Sequence, residues 1–425
     1  MKIGIQTWGS HGDFKPYLAL AVGLQSAGHD VTLVATTLND IDYQSAAEQA
    51  NIKFRHIASP IFSSEEHYVN AHNVIFGESN PLKQAKKILN LAFEPVLEPM
   101  FEAAEKLCDE NDLVIGQSFL YPLSLAAEKH NVPRVSIMLA HNLIPIPSVP
   151  PGGVPYLGPV VNRGMWWLIS KIIAWTLNPN FKIMREGAGL PPVSDPLNDC
   201  LISSKLHLFA VSQEFCPQTN KWPDEYKVCG FFNSPNISVE GEISKDLDNF
   251  IKFDDRPIVY MTFGSMAMPF LSDQIEIITL FQEAATQAGC RAIIQAENWR
   301  LCDVKSNKDV HFVDFAPHDL IFPHCELLVH HGGAGTCQSS VLSGIPSVIV
   351  SFTDEQLFWG NEFNRLGLAP KPLKRIKVTS KQIAGKINEA LSKPSMKSKA
   401  REIGARMKNE NGVKDAVEII CKTFS

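Results

Sequence analysis

Three short stretches of the 425-residue chain carry side chains whose types and spacing could do chemistry. The densest is Leu327-Leu328-Val329-His330-His331-Gly332-Gly333-Ala334-Gly335-Thr336, where an apolar run meets two histidines and then three glycines. Small residues let backbone approach a ligand closely. A helix starting behind them presents unpaired N–H groups and the positive end of its dipole. The pattern therefore suits a diphosphate, with His331 as an extra donor, although a tight strand-to-helix turn needing glycine for packing would leave the same residues. It is neither a Walker A loop nor a G-x-G-x-x-G fingerprint. The second stretch, Asp354-Glu355-Gln356, sets a carboxylate beside an amide: the first accepts hydrogen bonds and the second both accepts and donates, as neighbouring sugar hydroxyls require. The third is the polar turn Gly9-Ser10-His11-Gly12-Asp13, directly after an apolar run. His318, His324, Cys325, His330, His331 and Cys337 crowd one region without metal-ligand spacing, so no metal site is expected. No G-x-S-x-G elbow marks a serine nucleophile.

These stretches must be held by strands and helices in alternation. Lys2–Thr7 reads as a strand, Pro16 sits near the first turn of a helix that Gly28 closes, and Val31–Ala35 reads as the next strand. Similar apolar runs recur at Leu113–Gly116, Arg134–Met138 and Leu208–Val211. A second series follows at Ile258–Phe263, Arg291–Gln295, Val310–Val313, Leu327–His330 and Ser347–Val350. Helical patterns such as Ser272–Ala288 and Thr336–Ser343 lie between them. The expected fold is α/β, with two doubly wound domains and a ligand cleft at the carboxyl ends of the two sheets. The break is expected in the polar stretch Phe231–Pro257, and Pro145–Pro159 reads as an extended loop.

Composition narrows the class. Apolar residues make up 45% and charged residues 20%, an ordinary globular balance, and a net charge of −6 argues against general nucleic-acid binding. Nine scattered cysteines without a C-x-x-C pair suit reduced thiols, and the start at Met1 shows no signal-peptide pattern, so a cytoplasmic protein is expected. Two segments stand apart. Gly164–Leu177 is rich in Trp and Ile but too short to span a bilayer; it reads as a core or pocket-wall helix, with an apolar acceptor site or membrane-surface contact as the alternative. Lys371–Lys408 carries twelve basic and two acidic residues, which puts +10 there and −16 elsewhere. A solvated helical face accounts for it, and peripheral contact with an anionic membrane surface is the sharper alternative.

Together the motifs carry a resemblance. The loop His330-His331-Gly332-Gly333-Ala334-Gly335-Thr336, preceded by Phe315-Ala316-Pro317-His318-Asp319 and followed by Glu355-Gln356-Leu357-Phe358-Trp359-Gly360, resembles the donor-binding signature of GT-B nucleotide-sugar glycosyltransferases. The branch it is most similar to is that of the sterol 3-β-glucosyltransferases, which also holds bacterial antibiotic and lipid glycosyltransferases. Gly9-Ser10-His11-Gly12-Asp13-Phe14-Lys15-Pro16 resembles that branch's G-[ST]-x-G-D-x-x-P start, and Tyr260-Met261-Thr262-Phe263-Gly264-Ser265 its strand and Gly-Ser turn. The resemblance implies a GT-B fold of two Rossmann-like domains facing a cleft. It assigns 1–232 to the acceptor, with 407–425 returning to pack on it, and 233–406 to the donor. Phe315 would stack on the nucleobase with Ala316 beside it. Ser265, His331, Gly333, Ala334, Gly335 and Thr336 would contact the diphosphate, and Glu355 and Gln356 the sugar. Gly9, Ser10 and Gly12 are assigned to donor binding with them. Glu355 stands where much of the branch has Asp.

The implied reaction is inverting transfer of a hexose, glucose foremost, from a UDP- or TDP-sugar to a hydroxyl on an apolar acceptor, a sterol, a lipid or an aromatic or polyketide natural product, with no cofactor and no metal. Asp13 and His11 are the candidate bases: an unperturbed Asp titrates near ~3.9 and needs burial to act, while His starts closer to neutral. A small-molecule branch uses a His oriented by a later Asp; Gln117 stands at that later position, so such a relay is not expected. A nucleotide-sugar-binding protein without catalysis, and a nucleotide-sugar epimerase on the same scaffold, are the alternatives.

Overall fold

The computed structural model describes all residues except 39–42, 60–63, 152–153, 178–179, 204, 217–218, 220–221, 234–242, 268–269, 315–317 and 425. The chain divides into two compact units, Met1–Ile237 with Glu410–Ser425, and Ser238–Asn409.

In the first unit, β1 (Lys2–Gly9), β2 (Asp30–Thr37), β3 (Lys53–Ile57), β4 (Leu113–Gln117), β5 (Arg134–Met138), β6 (Leu206–Phe209) and β7 (Tyr226–Val228) form a parallel sheet ordered β3-β2-β1-β4-β5-β6-β7. The central strands are buried on both faces: Ile3, Ile5 and Leu33 join a core with Tyr17 and Leu20, whereas Val34 and Val114 join Met100, Leu107 and Leu123 opposite. That is why they read as continuous apolar runs. The last helix, Gly412–Phe424, belongs here, burying Ala416, Val417 and Ile420 in the core against the helix His11–Ser26. Ser212 Oγ donates to Glu410 Oε1 at 2.9 Å just ahead of it.

The second unit holds β8 (Ile258–Thr262), β9 (Arg291–Gln295), β10 (Val310–Val313), β11 (Leu327–His330), β12 (Ser347–Ser351) and β13 (Leu373–Lys374), ordered β10-β9-β8-β11-β12-β13. Val259 and Met261 face the helices Leu271–Ala288 and Ser380–Leu391, while Ile258 and Tyr260 face Phe322 and Phe250. Both units are doubly wound α/β sheets, as expected from the sequence.

The details differ in places. Residues His11–Asp13 are not a loop but the first turn of the helix, and Pro16 lies inside it; Ser10, with an extended backbone, stands at its N-terminus. The polar stretch after Phe231 contains the helix Lys245–Lys252, started by Ser244 Oγ accepting from Leu247 N at 3.2 Å and docked through Leu247 and Phe250. In the basic segment, Lys386 and Lys393 pair with Glu389, Lys399 and Arg406 with Glu402, Lys397 with Glu326 and Arg375 with Glu276. Six of its twelve cations therefore share four carboxylates. Among the described residues, no helix is long and apolar enough to cross a membrane.

Candidate functional site

In each sheet the chemistry lies where the strand order reverses, the place at which an open α/β sheet leaves a crevice. In the first unit that point is between β1 and β4. Strand β1 ends at Gly9, with φ 139°, and the Asp13 carboxylate occupies the space where a Cβ on residue 9 would stand. Glycine is required there so that the carboxylate can fold back over the strand end. Asp13 Oδ2 accepts from Ser10 N at 2.9 Å, and Asp13 Oδ1 accepts from Gln117 Nε2 at 3.0 Å. Gln117 closes β4, and its own Oε1 accepts from Trp8 N at 2.8 Å, so the amide is locked in one orientation. Burial raises the half-buried Asp13 carboxyl from 3.8 to about 6, although the hydrogen bonds from Ser10 and Gln117 pull it down. An ionised Asp13 above that pH is a far better base than an ordinary aspartate. His11, one turn edge away, leans instead on Tyr43, with ring centroids 5.9 Å apart and planes at 22°. Gly12 is exposed, and Ser10 serves the Asp13 turn.

Gln117 is the residue whose part the sequence did not reveal. Only the parallel pairing of β1 with β4 brings positions 104 apart into hydrogen-bond contact. Replacing Gln117 with Leu removes a donor to the ionised carboxylate, so the acid limb of the pH–rate profile is expected to move above about 6. Measuring kcat/KM from pH 5 to 9 checks this; a lowered melting temperature with an unmoved limb would make Gln117 a strand tie alone.

In the second unit the reversal lies between β8 and β11. The turn Gly264–Met266 follows β8, the loop 331–333 follows β11, and the segment 352–353 follows β12. Register pairs His330 with Thr262 and with Ile349, so three neighbouring strand ends gather Ser265, His331, Gly333, Ala334, Gly335, Thr336, Glu355 and Gln356 at one edge. The helix Ala334–Leu342 begins without any side-chain cap. Its first-turn N–H groups, half-exposed at Ala334, Gly335 and Thr336, are left to water or a ligand.

The glycines here separate the two readings of this loop. At Gly332, φ is 90° and a Cβ would come within 2.8 Å of Ile349 and 2.9 Å of Gln356 O, while one on Gly333 would strike the His331 ring. Both have packing reasons. Gly335 has none, since a Cβ there would meet nothing within 4 Å and its backbone is helical. The space beside Gly335 is therefore open at the helix start.

His331 is buried, its Nδ1 has no hydrogen-bond partner, and burial lowers it to about 4. It is therefore a neutral imidazole. His330 is buried and serves the loop itself, accepting from Gly332 N through Nδ1 at 3.1 Å. Gln356 differs from the sequence reading: its Oε1 accepts from Phe352 N at 2.7 Å and Thr353 N at 3.3 Å, capping the helix Asp354–Arg365. Only its amide nitrogen is left for a sugar hydroxyl. Glu355 is exposed and lies close to the first turn of the preceding helix, where its charge adds to burial in pushing the Cys337 thiol up. Phe315 and Ala316 lie outside the described residues.

Known proteins resemble the chain in sequence and in fold. Residues 3–136 match the glycosyltransferase family 28 N-terminal domain, and residues 284–422 match the erythromycin biosynthesis protein CIII-like C-terminal domain. Each match covers about a third of the chain. Among relatives of the chain, the sterol 3-beta-glucosyltransferase of Debaryomyces hansenii is 26% identical over 97% of the chain, which spans 26% of that longer protein. A sterol 3-beta-glucosyltransferase of Arabidopsis thaliana is 27% identical, with 98% of the chain and 67% of the relative covered. The O-mycaminosyltylonolide 6-deoxyallosyltransferase of Streptomyces fradiae is 26% identical, with 99% and 97% covered. The solved glycotransferase of kitacinnamycin superposes with a TM-score of 0.70 at 16% identity, covering 99% and 98% of the two chains. Glycosyltransferase VinC in complex with dTDP does so at 0.64 and 16% identity, covering 100% and 99%. Both share the GT-B fold of this chain.

Proposed function

We propose that the chain is a UDP-glycosyltransferase, an inverting hexosyltransferase that moves a sugar, glucose foremost, from a UDP- or TDP-linked donor to a hydroxyl of an apolar acceptor. The observation that carries this reading is the uncapped helix start at Ala334, with space at Gly335 and the unpartnered His331 beside it. That set suits a diphosphate and the charge it gains as a leaving group. The donor class is also supported by relatives named for sugar transfer and by a structural neighbour solved with dTDP.

In the proposed step Asp13 takes the proton from the acceptor hydroxyl, and the oxygen forms a bond to the anomeric carbon. The bond from that carbon to the diphosphate oxygen breaks, its electron pair leaving with the nucleoside diphosphate, which the N–H groups of Ala334, Gly335 and Thr336 and the His331 ring stabilise. Glu355 and the Gln356 amide nitrogen hold the sugar. The acceptor is a sterol, a lipid or an aromatic or polyketide natural product, and relatives named for sterol transfer support the first of these. Nine free cysteines suit a reducing, cytoplasmic setting.

Incubation with UDP-glucose or dTDP-glucose, and a panel of sterols, lipids and phenols in EDTA, tests the reading. Nucleotide release only with an apolar acceptor is expected, at an unchanged rate when Mg²⁺ is restored. Activity that needs the metal would overturn the helix terminus as the source of charge stabilisation. Isomerised sugar would identify an epimerase, and binding without turnover a non-catalytic receptor.

A further inference from the structure

The helix Pro159–Leu177 has two apolar faces, and only one is buried. Trp166 is inside, its indole N–H donating to Val149 O at 2.8 Å, and Ser170 Oγ donates to Asp195 Oδ1 at 2.5 Å. Ile173 and Leu177 pack on the core around Leu97 and Phe181. At ~100° per residue these positions share one side, and Val160, Val161, Gly164, Trp167, Leu168 and Trp175, with Lys171 among them, fall within an arc of about 120° on the other. Val160 is 83% exposed, Trp167 62% and Trp175 65%. A solvated helix turns polar residues outward, so an exposed face of five large apolar residues around a single lysine marks a contact surface.

Charge says what kind. Arg163 and Lys171 are exposed on the same helix, Lys171 Nζ also donating to Ser194 O at 3.4 Å, and Lys86 Nζ sits 5.1 Å from the centroid of the Trp175 ring, with Lys83 exposed one turn earlier. Between Lys129 and Arg185 the chain has no Asp or Glu. Glu186, the next acid, lies 3.6 Å from Lys182. We propose that this face docks on an anionic lipid surface, the helix lying in the headgroup plane with Trp167, Leu168 and Trp175 inserted and Arg163, Lys171 and Lys86 at the phosphates. Tryptophan at the headgroup level with cations beside it is the pattern of interfacial helices. The segment Lys371–Lys408, by contrast, spends many of its cations on Glu276, Glu326, Glu389 and Glu402.

Co-sedimentation of the full chain with vesicles of phosphatidylcholine alone, or of phosphatidylcholine with phosphatidylglycerol, tests this. Binding to the anionic vesicles is expected, falling on the order of tenfold or more without the anionic lipid or in high salt. A Trp167→Glu/Leu168→Glu variant should lose it while keeping the wild-type melting temperature and the wild-type thermal shift with dTDP. Absence of binding to anionic vesicles overturns the proposal, as does binding that survives the double variant. A concentration-dependent dimer that the variant abolishes, without vesicle binding, would make the stripe a contact between copies of the chain.

Discussion

Replacing Asp13 with Asn is expected to lower the transfer rate by about 10²–10⁴, the usual loss when a general base is removed, while donor binding stays near wild type. Asparagine keeps the acceptor for Ser10 N, but its amide nitrogen meets the Gln117 amide, so one hydrogen bond worth roughly 0.5–1.5 kcal/mol is lost. Against that loss stands relief of a carboxylate that burial disfavours. The sign follows from linkage. With a folded value of about 6 against 3.8 unfolded, Asp13 holds its proton longer in the folded state, so its contribution to stability is full below about 3.8 and is lost as pH rises through about 6. At pH 8 the wild type bears the cost and the Asn variant does not, so the two should melt within a few degrees of each other. The wild-type rate should rise with pH through about 6, and the variant should lose that limb. Steady-state kinetics beside a melting curve at pH 8 decides the matter. Near wild-type turnover with a clear drop in melting temperature would make Asp13 a helix-start residue only, and His11 the next base to test.

The second large effect concerns the donor. His331→Ala should weaken nucleotide-sugar binding by about 1.5–3 kcal/mol, the range for a hydrogen bond to a charged group, or roughly 10- to 150-fold. Because His331 is held to about 4 by burial, it stays neutral under ordinary conditions, and donor affinity should be flat from pH 6 to 8. Gly335→Ala is the companion variant. A Cβ there has open space, so the protein should be more stable by about 0.4–1 kcal/mol, yet bind donor less well because the new methyl stands among the first-turn N–H groups. Calorimetric titration with UDP and dTDP, alongside melting curves, reads both quantities. Equal affinity in both variants would reduce the loop to a packing turn.

Edge strands and capping interactions escaped a reading of the chain for physical reasons. Central strands are buried on both faces and so appear as apolar runs. By contrast, β3 (Lys53–Ile57) alternates exposed and half-buried residues, β7 is half-buried throughout, and β13 is two residues long; none leaves such a run. The early helix start was hidden because Gly9, Gly12 and Pro16 all resemble turn residues, whereas the Ser10–Asp13 contact that organises them depends on backbone geometry. Likewise, Gln356 looks like a sugar ligand in a string of letters. Its oxygen turns out to be committed to the helix start at Thr353.

The sequence by itself determined the α/β class, the order of the central strands along the chain, the Gly-rich loop after His331, and the carboxylate behind Gly9, because these depend on local periodicity and on residue type at short spacing. Tertiary structure alone decided which residues work together. Parallel pairing of β1 with β4 brought Gln117 to Asp13, and pairing of β8, β11 and β12 brought Ser265, His331 and Gln356 to one sheet edge. It also decided that Trp166 lies inside and Trp167 outside, since a helix separates adjacent residues by about 100° and only packing selects the face that is buried.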